Sequence, residues 1–257
     1  MKQYSDLSYT LTRDISKKDK KNNGIYFTPP NTVSKNIDFL EKYLVDFKDV
    51  LEPSCGSCEY ILQLNEKHKH LEITGIELNK KIYDSVKELE NEKITIYNDN
   101  YLTYKNNKKY DLIIGNPPYF VMKKNDVDKE YYNYFDGRPN IFILFIIKSL
   151  KLLKNNGIIL FFVPFSWRYH ASPYDTYRYS HTGLQFIIER LGCIKKIQSG
   201  YIKFGNINGF WKNKKDYTIN GKQFPNCLET FYLGIKNNTH KFTINDLDAD
   251  YNWRHDK

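Results

Sequence analysis

The sequence predicts a doubly wound α/β sheet of mostly parallel strands. Short apolar runs typical of buried strands alternate with segments of helical apolar spacing; these runs are 49–52, 73–77, 94–97, 111–115 and 158–163. The run at 158–163 is apolar throughout, as expected of a parallel strand covered by helices on both faces. A later run, 228–235, predicts one more strand. Polar and small residues follow the early strands, at the edge where such sheets bind ligands.

Composition indicates a globular protein in a reducing compartment. The 257 residues are 40% hydrophobic and carry a formal net charge of +9, which favours a polyanionic partner. No apolar run is long enough to span a bilayer, and the first residues lack the apolar core of a secretory signal. We therefore expect a protein of the cytoplasm, nucleoid or nucleus, neither secreted nor in a membrane. Of the four cysteines only Cys55 and Cys58 are closely spaced, which predicts no metal site.

One strand ends abruptly in Gly115-Asn116-Pro117-Pro118-Tyr119. Neither proline can donate to a sheet ladder, so the chain leaves the strand as a rigid corner that presents an amide and an aromatic ring. Asn-Pro-Pro-Tyr resembles the catalytic motif of amino-methyltransferases, which move a methyl group from S-adenosylmethionine to an amino or amide nitrogen. The resemblance implies that the Asn116 side chain and the Pro117 carbonyl accept both hydrogens of the target amine, while Tyr119 stacks on the base through its ring rather than its hydroxyl. The alternative is a proline-rich turn capped by a core tyrosine.

A turn of small residues, Pro53-Ser54-Cys55-Gly56-Ser57-Cys58, joins the strand that ends at Glu52 to the start of a helix. Small residues let the backbone approach a ligand closely, and the helix offers its N-terminus. The next strand ends in Glu77, within the length of one βαβ unit, where an acid can accept hydrogen bonds from ribose hydroxyls. The pattern favours a nucleotide site; the alternative for Glu77 is an exposed acid at a strand end.

These motifs occur in the order found in DNA adenine-N6 methyltransferases whose cofactor-binding half precedes the catalytic half, and the chain resembles that family over residues 24–236. The stretch 24–30 resembles the segment that contacts the methionine moiety, 52–58 the cofactor loop, and 76–78 the part that binds ribose and adenine. Later matches are 140–142, 164–167 and 224–226. The resemblance implies a seven-stranded, Rossmann-like methyltransferase sheet with an antiparallel late strand. It also implies S-adenosylmethionine as cofactor and, as substrate, an adenine flipped out of double-stranded DNA.

The resemblance assigns roles to individual residues. The catalytic residues are Asn116, Pro117, Tyr119 and Phe224, the last as a second aromatic wall for the base. The cofactor-binding residues are Tyr26, Thr28, Glu52, Pro53, Cys55, Gly56, Glu77, Leu78, Asp99, Asn100, Asn116, Pro118 and Phe142. Cys58 departs from the family pattern, because it replaces the last glycine of the cofactor loop and adds a side chain where backbone should approach the ligand. Asn100, after Asp99, replaces the acid that meets the adenine amine, but its oxygen also accepts hydrogen bonds, so we expect cofactor binding to survive.

We expect a flexible basic arm at 1–23, a catalytic domain at 24–238 and a polar tail at 239–257. Within the catalytic domain, 168–222 mixes cations with aromatic residues, a combination suited to phosphates and unstacked bases. The residues expected to bind nucleic acid are Arg168, Lys203, Lys212, Lys214 and Lys215. Because only a polar tail follows Ile235, where the family usually has its recognition domain, a specificity or partner subunit is a further expectation.

Two other functions remain open at the level of the sequence. The same chemistry could act on an RNA adenine or a protein glutamine, although the stretch 26–30 and the basic, aromatic segment favour nucleic acid. A non-catalytic subunit that kept the fold would account for Cys58 and Asn100. The intact Asn-Pro-Pro-Tyr motif argues against that alternative.

Overall fold

The computed structural model describes residues 5–16, 18–20, 24–134, 139–164, 217–219, 222–224 and 228–234. It contains the helices α1 Asp6–Asp14, α2 Pro30–Leu44, α3 Glu59–Lys67, α4 Lys80–Val86 and α5 Ile141–Leu152. The strands are β1 Asp49–Glu52, β2 Glu72–Glu77, β3 Ile94–Asn98, β4 Tyr110–Gly115, β5 Leu153–Pro164, β6 Tyr217–Ile219, β7 Lys222–Phe224 and β8 Leu228–Gly234.

Six strands form one sheet in the order β3-β2-β1-β4-β5-β8. The first five are parallel and β8 runs antiparallel to β5, which confirms the predicted doubly wound fold with an antiparallel late strand. A seventh strand is not confirmed, since the described residues supply six to this sheet; β6 and β7 pair separately. The strand order reverses between β1 and β4, so their carboxyl ends border a crevice. Open α/β sheets bind ligands at such a crevice.

Apolar layers cover both faces of the sheet. Along β4, Leu112 and Ile114 pack on the face covered by α2 and α3, whereas Ile113 packs on the face covered by α5. Each fully buried side chain of this size contributes about 1.5–3 kcal/mol, so the two layers hold the strand ends in fixed positions. Although α5 is strongly apolar, no helix within the described ranges is long and apolar enough to cross a membrane.

The segment expected to be a flexible arm contains α1. Leu11 and Ile15 are buried against Ile82, with Leu7 and Phe27 packed beside them. Residues 6–15 are therefore not part of a flexible arm as expected: they form the packed helix α1 and its C-terminal cap, Ile15. The signal was the four-residue spacing of Leu7, Leu11 and Ile15, which places three apolar side chains on one helical face despite the surrounding charges.

At the amino end of the sheet, the carboxylate of Asp111 joins β1 to β4. Its Oδ2 accepts the backbone amides of Lys48 at 3.0 Å and Asp49 at 2.8 Å, and it lies 2.9 Å from the Nζ of Lys154. Burial alone would raise the pKa of Asp111, but the two amides and the Lys154 ammonium outweigh burial and hold that pKa below its usual range. The carboxylate is therefore a stabilising contact in its ionised form.

We expect Asp111→Ala to lower the free energy of unfolding by about 2 kcal/mol at neutral pH, as for other hydrogen bonds to a charged group. Because the native pKa is depressed, this stabilisation is complete above the pKa of the unfolded chain and is lost as the pH falls through the native pKa. Urea denaturation at neutral pH and below about pH 3 measures the loss of stability and its dependence on pH, with Asp46→Ala, at an exposed position, as control. A stability difference that stays constant between the two conditions would contradict the assignment.

Candidate active site

A cavity of about 630 Å³ lies in the crevice at the carboxyl ends of the strands. Its lining includes nine residues predicted to bind the cofactor: Tyr26, Pro53, Gly56, Glu77, Leu78, Asp99, Asn100, Asn116 and Pro118. Further lining residues to which the sequence assigned no individual role include the apolar Ile15, Phe27, Ile82, Phe120, Ile141 and Phe145. The predicted nucleotide site and the predicted catalytic corner therefore open into the same cavity.

Glu77 ends β2 with its carboxylate buried at the wall of this cavity. The residue is only 7% exposed, which excludes the alternative of a surface acid. Its Oε2 accepts the amide of Gly56 at 2.9 Å, and its Oε1 accepts the amide of Asn79 at 2.7 Å. Burial raises the pKa of Glu77, and hydrogen bonds from the amides of Asn79, Gly56 and Leu78 oppose that rise. A carboxylate has about four acceptor positions, so acceptor capacity remains for ligand hydroxyls.

The loop between β1 and α3 is tied to the sheet by its backbone. The amide of Cys55 donates to the carbonyl of Ile76 at 3.0 Å. Gly56 has a φ of 52°, and a Cβ there would lie 3.3 Å from the Phe27 ring, so both conformation and space favour glycine. Cys58 has a φ of 61°, and its side chain is buried in the core layer formed with α2 and α3. The expectation that this side chain would meet the ligand is therefore wrong. The effect of having cysteine instead of glycine here is that a residue with a side chain must adopt a left-handed backbone conformation.

We expect Cys58→Gly to be more stable than Cys58→Ala by about 1 kcal/mol, because both remove the thiol but only glycine relieves the left-handed conformation. Cofactor affinity should be the same in both variants, since the side chain points away from the cavity. Urea denaturation and calorimetric titration measure the two quantities. At Cys55, whose φ is not positive, alanine should be the more stable replacement. If alanine is also the more stable at Cys58, the conformational argument fails.

A smaller adjoining cavity of about 20 Å³ is lined by three more residues predicted for the cofactor, Thr28, Glu52 and Cys55. Within the described part of the chain, Glu52 Oε2 is buried without a hydrogen-bond partner. Burial raises the pKa of Glu52 well above its ordinary range. A buried carboxyl oxygen without a partner is costly, and a cationic ligand group beside it would offset that cost. The ammonium and sulfonium groups of S-adenosylmethionine are of this kind, so the residues present fit the predicted cofactor.

The corner after β4 holds its asparagine by defined contacts. The Nδ2 of Asn116 donates to the carbonyl of Tyr26 at 3.1 Å, and its Oδ1 accepts the hydroxyl of Tyr119. The Oγ of Ser54 donates to the Asn116 carbonyl at 3.2 Å. Among the described residues no donor is bonded to the carbonyl of Pro117. The Asn116 Oδ1, which keeps a second lone pair, and the Pro117 carbonyl are thus two acceptors with unused capacity.

The stretch 24–30 packs directly against this corner. Gly24 has a φ of 62°, and a Cβ on it would lie 3.1 Å from both Pro118 Cβ and Tyr119 N. The close approach places the Tyr26 carbonyl within hydrogen-bond distance of the Asn116 side-chain amide. The N-terminal motif therefore supports the Asn-Pro-Pro-Tyr corner as well as lining the cavity.

Comparisons with known proteins identify the family of this chain. Residues 23–192 match the Eco57I restriction-modification methylase family, which is more than half of the chain. The chain belongs to this family. The methylase is 31% identical over 170 residues to modification methylase CviBIII of Paramecium bursaria Chlorella virus NC1A, covering 64% of this chain and 44% of that protein. It is 26% identical over 277 residues to type II methyltransferase M.AccI of Acinetobacter calcoaceticus, covering 95% of this chain and 48% of that protein.

The methylase spans about half the length of these curated relatives. Its fold is similar to a crystal structure from Listeria monocytogenes described as a class I S-adenosylmethionine-dependent methyltransferase, with a TM-score of 0.63 and 14% identity, covering 95% of this chain and 73% of that one. At that identity the likeness shows the fold alone, and it confirms the predicted methyltransferase sheet. The family and its type II relatives confirm the predicted resemblance to DNA methyltransferases and S-adenosylmethionine as the cofactor.

Phe142 does not line the cavity of the methylase. It is fully buried in the core, and its ring meets that of Tyr119 edge-on with 6.4 Å between centroids. Ile141 and Phe145, one helical turn apart on α5, line the cavity in its place. The prediction that Phe142 contacts the cofactor is therefore wrong. Its contact is with the predicted catalytic tyrosine.

The part of the cavity predicted to bind adenine contains two polar side chains, Asp99 and Asn100. Asp99 Oδ1 accepts the amide of Asn100 at 2.6 Å, and Asn100 Oδ1 accepts the amide of Leu102 at 3.0 Å. The Asn100 oxygen retains one lone pair for an amine, so the expected contact with the cofactor stays a prediction.

The described structure does not test the other predicted residues. Phe224 is the last residue of β7 and pairs with Tyr217, so its place beside a base stays a prediction. The residues expected to bind nucleic acid, Arg168, Lys203, Lys212, Lys214 and Lys215, fall outside the described residues. In the part of the chain that the structure describes, no group of three or more His, Cys, Asp or Glu side chains could hold a metal ion.

Proposed function

We propose that this methylase transfers the methyl group of S-adenosylmethionine to the exocyclic N6 amine of an adenine flipped out of double-stranded DNA. The observation that supports the proposal most directly is the pair of acceptors at the corner, Asn116 Oδ1 and the Pro117 carbonyl. Two acceptors match the two hydrogens of an amine, whereas a hydroxyl nucleophile has one hydrogen and a ring carbon needs neither acceptor. The corner opens into the cavity that Glu77 lines, so donor and acceptor sites adjoin.

The residues divide the work between binding and positioning. S-adenosylmethionine supplies a methyl group made electrophilic by its sulfonium. When this cofactor is bound, Glu77 would accept hydrogen bonds from its ribose, and Glu52 would lie beside its cationic groups. Asn116 and Pro117 hold the hydrogens of the amine, so that its lone pair, otherwise delocalised into the base, is aimed at the methyl group. Positive charge develops on the nitrogen during transfer, so both hydrogen bonds strengthen toward the transition state before one proton leaves.

DNA as the partner is supported by the family and by charge. The net charge of +9 favours a polyanion, and an adenine amine can be reached only when the base leaves the stack. We place the backbone contacts at Arg168, Lys203, Lys212, Lys214 and Lys215, with a specificity or partner subunit supplying further contacts. Phe224 would stand opposite Tyr119 at the flipped base.

The test is a competition among substrates. The full chain is incubated with radiolabelled S-adenosylmethionine and equal amounts of unmodified duplex DNA, RNA of the same sequence, or a glutamine-containing peptide. We expect label in duplex DNA and none in the other two. Label confined to RNA or to the peptide would overturn the proposed substrate while leaving methyl transfer intact. Absence of label from all three, with cofactor bound, would favour the non-catalytic alternative.

A further inference from the structure

The carboxamide of Asn116 is held at both of its ends. Its Nδ2 donates to the Tyr26 carbonyl at 3.1 Å, and its Oδ1 accepts the hydroxyl of Tyr119. A backbone carbonyl can only accept a hydrogen bond, so the amide must present nitrogen to Tyr26. The opposite end is then oxygen, and a hydroxyl that donates there matches it. The two contacts together select one of the two orientations of the amide.

The hydroxyl of Tyr119 is a fixed neutral donor. Burial, with a smaller contribution from Tyr60, raises its pKa well above the ordinary value. The backbone carbonyl of Phe162 in β5 is a second acceptor beside this hydroxyl, so Asn116 Oδ1 and that carbonyl share its one hydrogen. The ring is set by Phe142, at 6.4 Å and an interplanar angle of 79°. Tyr119 is thus anchored on the sheet side and reaches the catalytic amide through its hydroxyl, not through its ring.

We infer that Tyr119 is a positioning residue whose hydroxyl keeps Asn116 Oδ1, rather than Nδ2, turned toward the target amine. The inference rests on the proposed function, in which that oxygen accepts an amine hydrogen. An amide turned by half a rotation would present its own hydrogens to the hydrogens of the target, and one of the two acceptors would be lost. Oδ1 has two lone pairs, so it serves the hydroxyl and the amine at once. This replaces the expectation that only the ring of Tyr119 matters.

The test compares Tyr119→Phe with Tyr131→Phe. Tyr131 is also a buried tyrosine, and its hydroxyl donates to the Leu102 carbonyl at 3.2 Å, away from the corner. We expect Tyr119→Phe to lower kcat by about 3- to 10-fold, the loss expected for one hydrogen bond, while the KM for DNA and the Kd for S-adenosylmethionine stay within about 2-fold. Tyr131→Phe should lower the melting temperature without lowering kcat. If kcat is unchanged in Tyr119→Phe, only the ring of Tyr119 contributes to methyl transfer, and the inference is overturned.

A second measurement does not depend on activity. In protein labelled with ¹⁵N-asparagine, the side-chain NH₂ signal of Asn116 is identified by its loss in Asn116→Ala. We expect its hydrogen exchange with solvent to speed up in Tyr119→Phe and to stay unchanged in Tyr131→Phe. Unchanged exchange in Tyr119→Phe overturns the inference. If the wild-type chain methylates no DNA while the exchange responds as expected, it is the proposed function that fails and not the orientation of the amide.

Discussion

Asn116→Ala is expected to lose at least about 100-fold in the rate of methyl transfer, the size of effect seen when one preorganised polar contact to a reacting group is removed. The affinity for S-adenosylmethionine should change by no more than a few-fold, because the carboxamide is bonded to Tyr26 and Tyr119 and leaves the carboxylates of the cofactor site untouched. Single-turnover transfer to DNA and calorimetric titration with the cofactor measure the two quantities separately.

The control is Asn107→Ala, which removes an exposed asparagine that does not line the active-site cavity. It should transfer methyl groups at the wild-type rate. If Asn116→Ala instead lost cofactor affinity and transfer in equal measure, the asparagine would be holding the loop together, and its assignment to the target amine would fall.

Glu77→Ala should raise the Kd for S-adenosylmethionine by roughly 10- to 100-fold, which corresponds to the ~1.5–3 kcal/mol of a charge-assisted hydrogen bond. The buried carboxylate offers its remaining lone pairs to the ribose, and alanine removes them. The substitution also leaves the amides of Gly56 and Asn79 without their acceptor, so the loop loses its anchor to β2. Both effects weaken binding in the same direction. The exposed Glu66→Ala is the matched control and should bind as the wild type does.

The pH dependence of binding gives an independent check on Glu77. Burial raises the pKa of Glu77, so its carboxylate becomes protonated at a higher pH than an exposed glutamate would. Since the ionised form is the better acceptor, affinity should fall as the pH is lowered through that raised pKa. The part of this fall that comes from Glu77 should be missing in Glu77→Ala, whereas the part that comes from Glu52, whose pKa burial also raises, should remain. A wild-type affinity that does not change over the acid range would contradict the charge-assisted contact.

Local sequence patterns were sufficient to predict the strands and turns that position the site. The strands, the small-residue turn and the Asn-Pro-Pro-Tyr corner each follow from a few adjacent residues, and the rules of doubly wound sheets bring their carboxyl ends together. Glu77 and Asn116 consequently line the same cavity although they lie 39 positions apart along the chain. The family resemblance added what the patterns could not, which is the order of the motifs and the chemistry they serve.

The remaining details depend on side-chain direction and on contacts between distant segments. Nearly every position of α5 is apolar, so no polar face indicates which of its residues point to the cavity. Phe142 was therefore predicted to contact the cofactor, whereas Phe145 lines the cavity. The left-handed backbone of Cys58 could not be predicted from its residue type, because cysteine usually avoids that conformation. The hydrogen bond from Asn116 to the Tyr26 carbonyl joins residues 90 positions apart. The hydrogen bond from the Tyr119 hydroxyl to Asn116 depends on the position of Tyr119, whose hydroxyl also contacts the Phe162 carbonyl of β5.

In the proposed function, the corner at Asn116 positions the N6 amine of an adenine in DNA for methylation. Nucleoside mass spectrometry tests this most directly, on DNA from cells that express the full chain and from cells that express Asn116→Ala. We expect N6-methyladenine in the first DNA and none above background in the second. Modified cytosine in place of adenine, or the same amount of N6-methyladenine with both proteins, would contradict it.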